Sequence, residues 1–215
     1  MNTIEDEPKV VQLPNIRIPV KAVLRRLGSP VEKQKLDGEM DRIYHEEVER
    51  AYSLIRPQGV YRFLRVSSRE NGRICFQNNS FVVQSDQVNK MLRMSDPIGF
   101  FMVTIGHQLE EDVKRLFLEG EVASGVVLDA IGSEAADAVA DYLHHVVLKK
   151  MAEKEGYSIT PRFSPGYGDW SLTVQSELLQ VCKGELIGIS VNASSFMIPK
   201  KSVSAVLGWE RKSIL

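Results

Sequence analysis

The sequence predicts an α+β fold: a twisted, mainly antiparallel sheet with flanking helices. Three observations carry that expectation. Segments with helical spacing of apolar residues alternate irregularly with short β-rich runs, and Asn71-Gly72 between two such runs is a hairpin turn signal. Residues 97–106 form a continuous apolar run rich in β formers, which reads as a strand buried on both faces. There is no regular strand–helix–strand repeat and no Gly-x-Gly-x-x-Gly after a strand, which argues against a Rossmann-type sheet.

Taken in order, residues 1–15 carry charge and two prolines and read as extended or partly disordered. Residues 16–20 read as a short edge strand, where Pro19 is tolerated, and residues 20–27 as a short helix ending at Gly28. In residues 31–55 the positions Leu36, Met40, Ile43, Val48, Ala51 and Ile55 give helical spacing, stopped by Arg56-Pro57-Gln58-Gly59. Residues 60–66 read as a strand, with residues 73–76 returning as its hairpin partner. Residues 81–83 follow as a further β segment. Ser85 caps a short helix to about Arg93.

After the apolar strand, residues 108–118 read as an amphipathic helix with Leu109, Val113, Leu116 and Phe117 on one side. Residues 122–130 leave helix and loop both open, and residues 129–133 read as a loop ending in a serine N-cap. A helix is expected from Glu134 to about Lys154, with Glu134 and Asp137 in its first turns, where negative charge suits the dipole. Adjacent His144 and His145 face different directions on such a helix and make no metal pair. Ser171 caps another helix to about Lys183, and residues 186–191 and 202–209 read as strands.

The 215 residues suggest a single domain, with residues 1–30 as a loosely ordered extension. Lys+Arg (27) and Asp+Glu (28) balance, so no basic excess points to nucleic acid. Cys75 and Cys182 are far apart and form no zinc-type spacing, which fits buried thiols in a reducing cytoplasm. The acidic start is no signal peptide, and no apolar run reaches membrane-spanning length. The chain is therefore expected to be cytoplasmic, without membrane or nucleic-acid partners.

The stretch Pro161-Arg162-Phe163-Ser164-Pro165-Gly166-Tyr167-Gly168-Asp169-Trp170 stands out. Pro165-Gly166 is a turn signal, and Gly166 and Gly168 leave the main chain open to a ligand. Arg162 offers a planar fork of donors for a carboxylate or phosphate. Tyr167 and Trp170 can cover a flat ligand. An ordinary connection whose aromatics plug the core accounts for the same residues.

This stretch, with its Arg-x-x-Pro-Gly-Tyr core, resembles the signature of the activation (reactivation) domain of cobalamin-dependent methionine synthase. Residues 135–144, ending in Asp141-Tyr142-Leu143-His144, are similar to that family's helix. Residues 195–204, with Met197-Ile198-Pro199 and Ser202-Val203-Ser204, are similar to its downstream segment. The resemblance covers about residues 130–208 and is nearest to stand-alone proteins related to that domain. It implies binding of S-adenosylmethionine (AdoMet) and reductive remethylation of a cobalamin-dependent methionine synthase, or another corrinoid protein, in trans. The cobalamin is carried by the partner, with flavodoxin or another electron donor. By the same resemblance Arg162 binds the AdoMet carboxylate. Backbone near Ser164 and Gly166 holds the adenine and ribose side, and Tyr167 sits at the mouth. Asp137 matches a family glutamate, one methylene shorter.

Three departures qualify this. No acidic ligand from the N-terminal part can be placed. Leu207-Gly208-Trp209-Glu210 stands where the family has a Tyr-Tyr pair, and no Asp-x-His-x-x-Gly cobalamin motif is present. These open a second expectation: a non-catalytic docking partner of a corrinoid protein that has lost AdoMet. A third, an enzyme built on His107, lacks any acid/base constellation.

Overall fold

The computed structural model describes residues 6–14, 16–28 and 38–212. Its centre is a five-stranded antiparallel sheet in the order β1-β2-β6-β10-β7. These strands are β1 (Lys9–Gln12), β2 (Gln58–Leu64), β6 (Ile98–Thr104), β7 (Tyr157–Ile159) and β10 (Ser202–Arg211). A second antiparallel sheet contains β3 (Val66–Glu70), β4 (Arg73–Phe76) and β5 (Asn79–Gln84). A two-stranded ribbon joins β8 (Ser190–Val191) to β9 (Met197–Ile198).

The middle strand behaves as its apolar run predicts, because every residue of β6 is buried. Its side chains alternate between two cores. Phe101 and Val103 join one with Phe63, Ala205, Leu207 and Trp209. Ile98, Phe100 and Met102 join the other with Val60, Leu64 and Val206. The first core is covered by helices α1 (Val20–Arg26), α2 (Glu39–Leu54), α4 (Gln108–Leu118) and α5 (Val122–Tyr142), of which α1, α2 and α4 all pack on α5. The second is covered by β3–β5, α3 (Asp86–Met91) and α7 (Gln175–Cys182).

Several boundaries differ from expectation. The edge strand is residues 9–12, paired with β2, whereas residues 16–19 form no strand. The start of the helix expected over 31–55 lies outside the described residues up to 37, and α2 begins at Glu39. The turn at Asn71-Gly72 does join a hairpin, but β4 pairs with β3 rather than with residues 60–64. Those residues pair with β1 and β6 instead. Residues 186–191 are not one strand: a 3₁₀ turn (Gly184–Ile187) takes the first part and β8 only the last two.

The largest correction concerns residues 122–154. Residues 129–133 are not a loop, because α5 runs straight through them. Ser133 does not cap; its hydroxyl donates to the Asp129 carbonyl one turn back at 3.1 Å. A Cβ at Gly132 inside the helix would stand 2.5 Å from Leu109 Cδ2, so the close packing of α4 on α5 holds only if that side chain does not have to shift. The helix then widens into a π-helical stretch (Leu143–Leu148) before α6 (Lys149–Lys154). This wider turn brings the rings of His144 and His145 to 4.3 Å between centroids, whereas regular spacing separates them.

Candidate functional site

The site is built where the chain leaves the edge of β10. After β7 pairs with Trp209–Arg211, Phe163 makes one further bridge to Val206, with hydrogen bonds of 2.9 and 2.8 Å. The chain then turns away through Ser164-Pro165-Gly166-Tyr167. A cavity of about 940 Å³ opens beside Ser202, Val203 and Ser204. Asp137 of α5 lines one side, Arg162, Ser164 and Tyr167 another, and Asn192, Phe196 and Lys200 of the β8–β9 region the third.

The turn itself follows from its residues. Gly166 has φ +88° and Gly168 φ +56°, both in the left-handed region that suits glycine. The Gly166 N–H donates to the Trp170 carbonyl at 2.8 Å, closing the loop on itself. Asp169 then ties the loop to α3: it accepts from Ser85 Oγ at 2.5 Å and from the Asp86 N–H at 2.7 Å. The Ser85 hydroxyl, with those amides, holds the Asp169 carboxyl below the usual carboxylate range.

Of the residues singled out in the sequence, Asp137, Arg162, Ser164 and Tyr167 all line this cavity. Tyr167 is 71% exposed at its mouth. Gly166 is not on the wall, and its amide is committed within the turn. Trp170 does not cover a ligand; it is buried in the core on the α7 side, behind the loop. His107 is exposed, stands 4.0 Å from Glu111 one helical turn on, and is not on the wall of this cavity.

Arg162 is held by α5. Its Nε and Nη2 approach Asp141 Oδ1 at 3.2 and 3.1 Å, and Nη2 stands 3.6 Å from Asp137 Oδ1. Arg26 of α1 continues the network to Glu134 at 2.6 Å and Asp137 at 4.0 Å. One helical turn beyond Asp141, buried His144 approaches the Thr160 carbonyl through Nε2 at 2.9 Å. A carbonyl only accepts, so Nε2 carries the proton and Nδ1 accepts from His145 Nε2 at 3.3 Å. Burial lowers the His144 pKa, with His145 and Arg162 pushing the same way.

The cavity floor is a buried amide–hydroxyl pair. Gln175 Nε2 and Ser204 Oγ are 2.8 Å apart, and Ser204 Oγ also reaches Gln175 Oε1 at 3.1 Å. Lys201 points away, to Asp129 and Ser133 on α5 at 2.7 Å each, which leaves its neighbour Lys200 at the cavity. Sequence reasoning did not name Gln175, Asn192 or Asp141 as site residues. Asp141 lies four residues from Asp137, one helical turn, and that spacing was the available signal.

This arrangement defines an α+β domain with an arginine-bearing cleft at a sheet edge, whose guanidinium is of the kind that pairs with a carboxylate. Residues 39–214 match the family described as vitamin B12 dependent methionine synthase, activation domain, and the chain belongs to that family. Among solved structures it is similar to the crystal structure of the MetH reactivation domain bound to AdoHcy. The TM-score is 0.70 at 15% identity, over 97% of this chain and 80% of that one, which establishes a shared fold. No curated protein matches it significantly in sequence. No described helix is long and apolar enough to cross a membrane, and no described group of three His, Cys, Asp or Glu side chains could hold a metal ion.

Proposed function

We propose that this chain binds AdoMet in the cavity between the Arg162–Tyr167 turn and the β8–β9 ribbon, and supports reductive remethylation of a corrinoid protein in trans. The observation that carries the reading is Arg162, a partly buried guanidinium on the wall of a cavity large enough for a drug-sized ligand. The solved structure of similar fold was determined with AdoHcy, the demethylated product of AdoMet.

In this reading Arg162 binds the ligand carboxylate by charge-assisted hydrogen bonds. Asp137 takes the α-ammonium, and the main chain at Ser164 borders the nucleoside. Gly166 acts indirectly, by shaping the turn. Tyr167 and Phe196, both exposed, form an apolar rim against which a corrinoid domain docks. The corrinoid of the partner protein, with an electron from flavodoxin or another donor, would supply the reduced acceptor for the AdoMet methyl group, and AdoHcy would remain in the cavity. This chain positions the sulfonium and excludes water.

Calorimetric titration of AdoMet and AdoHcy into wild type and Arg162→Ala tests the reading. Saturable binding is expected, weakened about 10- to 100-fold by the substitution, the range for hydrogen bonds to a charged group. Absence of binding by wild type at millimolar ligand would sink it.

One observation favours a second reading, a docking partner that does not bind AdoMet. Trp209, near the position of the family's Tyr-Tyr pair, is 1% exposed and packs on Phe63 in the helix-side core, away from the cavity. That reading predicts a stable complex with a corrinoid protein in pull-down, unaffected by AdoMet and by Arg162→Ala.

A further inference from the structure

The geometry points to Asp141 as the positioning residue that sets the Arg162 guanidinium for a ligand carboxylate. The inference rests on the AdoMet reading above and adds a residue to it.

A guanidinium has five N–H donors in a rigid fork. Asp141 engages one edge of that fork, Nε and Nη2, through a single oxygen. Asp137 stands farther off, at 3.6 Å from Nη2. Among the described residues Nη1 makes no hydrogen bond, so the Nη1 side remains for a second, bidentate-capable partner. A carboxylate matches that geometry. An arginine side chain free to rotate would lose rotamer freedom on binding, and the Asp141 contact removes part of that loss beforehand.

The main chain beneath the arginine is also fixed from the same helix. His144, three residues beyond Asp141, holds the Thr160 carbonyl, while the Thr160 hydroxyl accepts the Gly208 N–H at 2.9 Å. The head of Arg162 and the backbone two residues before it are thus both gripped by the junction of α5 with its π-helical stretch. Asp141 is exposed, so its substitution opens no cavity in the core.

The test compares two ligands in wild type, Asp141→Asn, Arg162→Ala and the double variant. AdoHcy carries the amino-acid carboxylate; 5′-methylthioadenosine has the same nucleoside and thioether without it. Thermal melts confirm that each variant is folded. The expected result is a loss of about 10-fold or more in AdoHcy affinity for Asp141→Asn, with 5′-methylthioadenosine affinity changed less than 2-fold. In the Arg162→Ala background the Asp141 substitution should then have no further effect.

Equal weakening for both ligands would assign Asp141 a merely structural role and overturn the proposal. So would unchanged or tightened AdoHcy binding, the latter making Asp141 a competitor of the ligand. If wild type binds 5′-methylthioadenosine but not AdoHcy, the carboxylate role of Arg162 fails and Asp141 with it. If it binds neither, the AdoMet reading itself has failed.

Discussion

Asp169 and Ser85, 84 positions apart in sequence, share a hydrogen bond of 2.5 Å that fastens the cavity loop to the start of α3. Ser85 Oγ also accepts the Val88 N–H at 3.0 Å, so one hydroxyl both caps the helix and holds the loop. The loop that carries Arg162 is therefore anchored on both sides, by Asp169 to α3 and by the Phe163 bridge to β10.

That anchor gives a pH signature. The Asp169 carboxyl titrates lower folded than unfolded, so its contribution is complete above the unfolded value near ~4 and is lost as pH falls through the folded one. Asp169→Asn should melt below wild type at pH 7, and the two melting curves should draw together as pH falls below the unfolded value near ~4. Parallel curves across that range would show that the carboxylate does not act through its charge.

His144 predicts a second signature. Burial lowers its pKa, so the unfolded chain binds its proton first and stability falls as pH drops below the unfolded value near ~6.5. The facing groups are His145, Asp141 and Arg162. His144→Gln, which retains a donor for the Thr160 carbonyl, should flatten the unfolding free energy as pH falls below about 6.5, a slope of at most ~1.4 kcal/mol per pH unit. Urea unfolding in that window measures it.

Gly132→Ala should destabilise by about 1–3 kcal/mol, because the added methyl meets the Leu109 side chain inside a packed helix pair. The usual gain from replacing a helical glycine has the opposite sign. A urea midpoint above wild type would show that α4 can move aside.

Ser204→Ala removes the hydroxyl that both ends of the buried Gln175 amide use. A cost of about 1–3 kcal/mol is expected, the desolvation of an unpaired buried amide. Gln175→Leu together with Ser204→Ala should recover part of it, since two apolar groups leave nothing unpaired. Denaturant midpoints of the single and double variants decide this.

Much of the fold was legible in the residues because the signals are local. The bounds of α4 follow from apolar spacing, the start of α3 from the Ser85 cap, and the double-faced burial of β6 from its unbroken apolar run. The turn at Pro165-Gly166 was legible because glycine φ preferences act over a few positions, and Asp137, Arg162, Ser164 and Tyr167 come together on the wall of one cavity. Gln175 was not, since a helical glutamine becomes a cavity floor only when Ser204 arrives from another strand.

By itself the sequence determined α3, α4, β6 and the sharp turns at Asn71-Gly72 and Pro165-Gly166, since spacing and backbone preference suffice for those. The tertiary structure alone decided three things. It carried α5 through Gly132-Ser133, because packing against Leu109 outweighs the local break signal. It gave β4 to β3 rather than to β2, because β2 is saturated by β1 and β6. And it set Arg162 against Asp141, 21 positions away, because the Phe163 bridge to β10 holds the chain beside α5, a juxtaposition that no local pattern encodes.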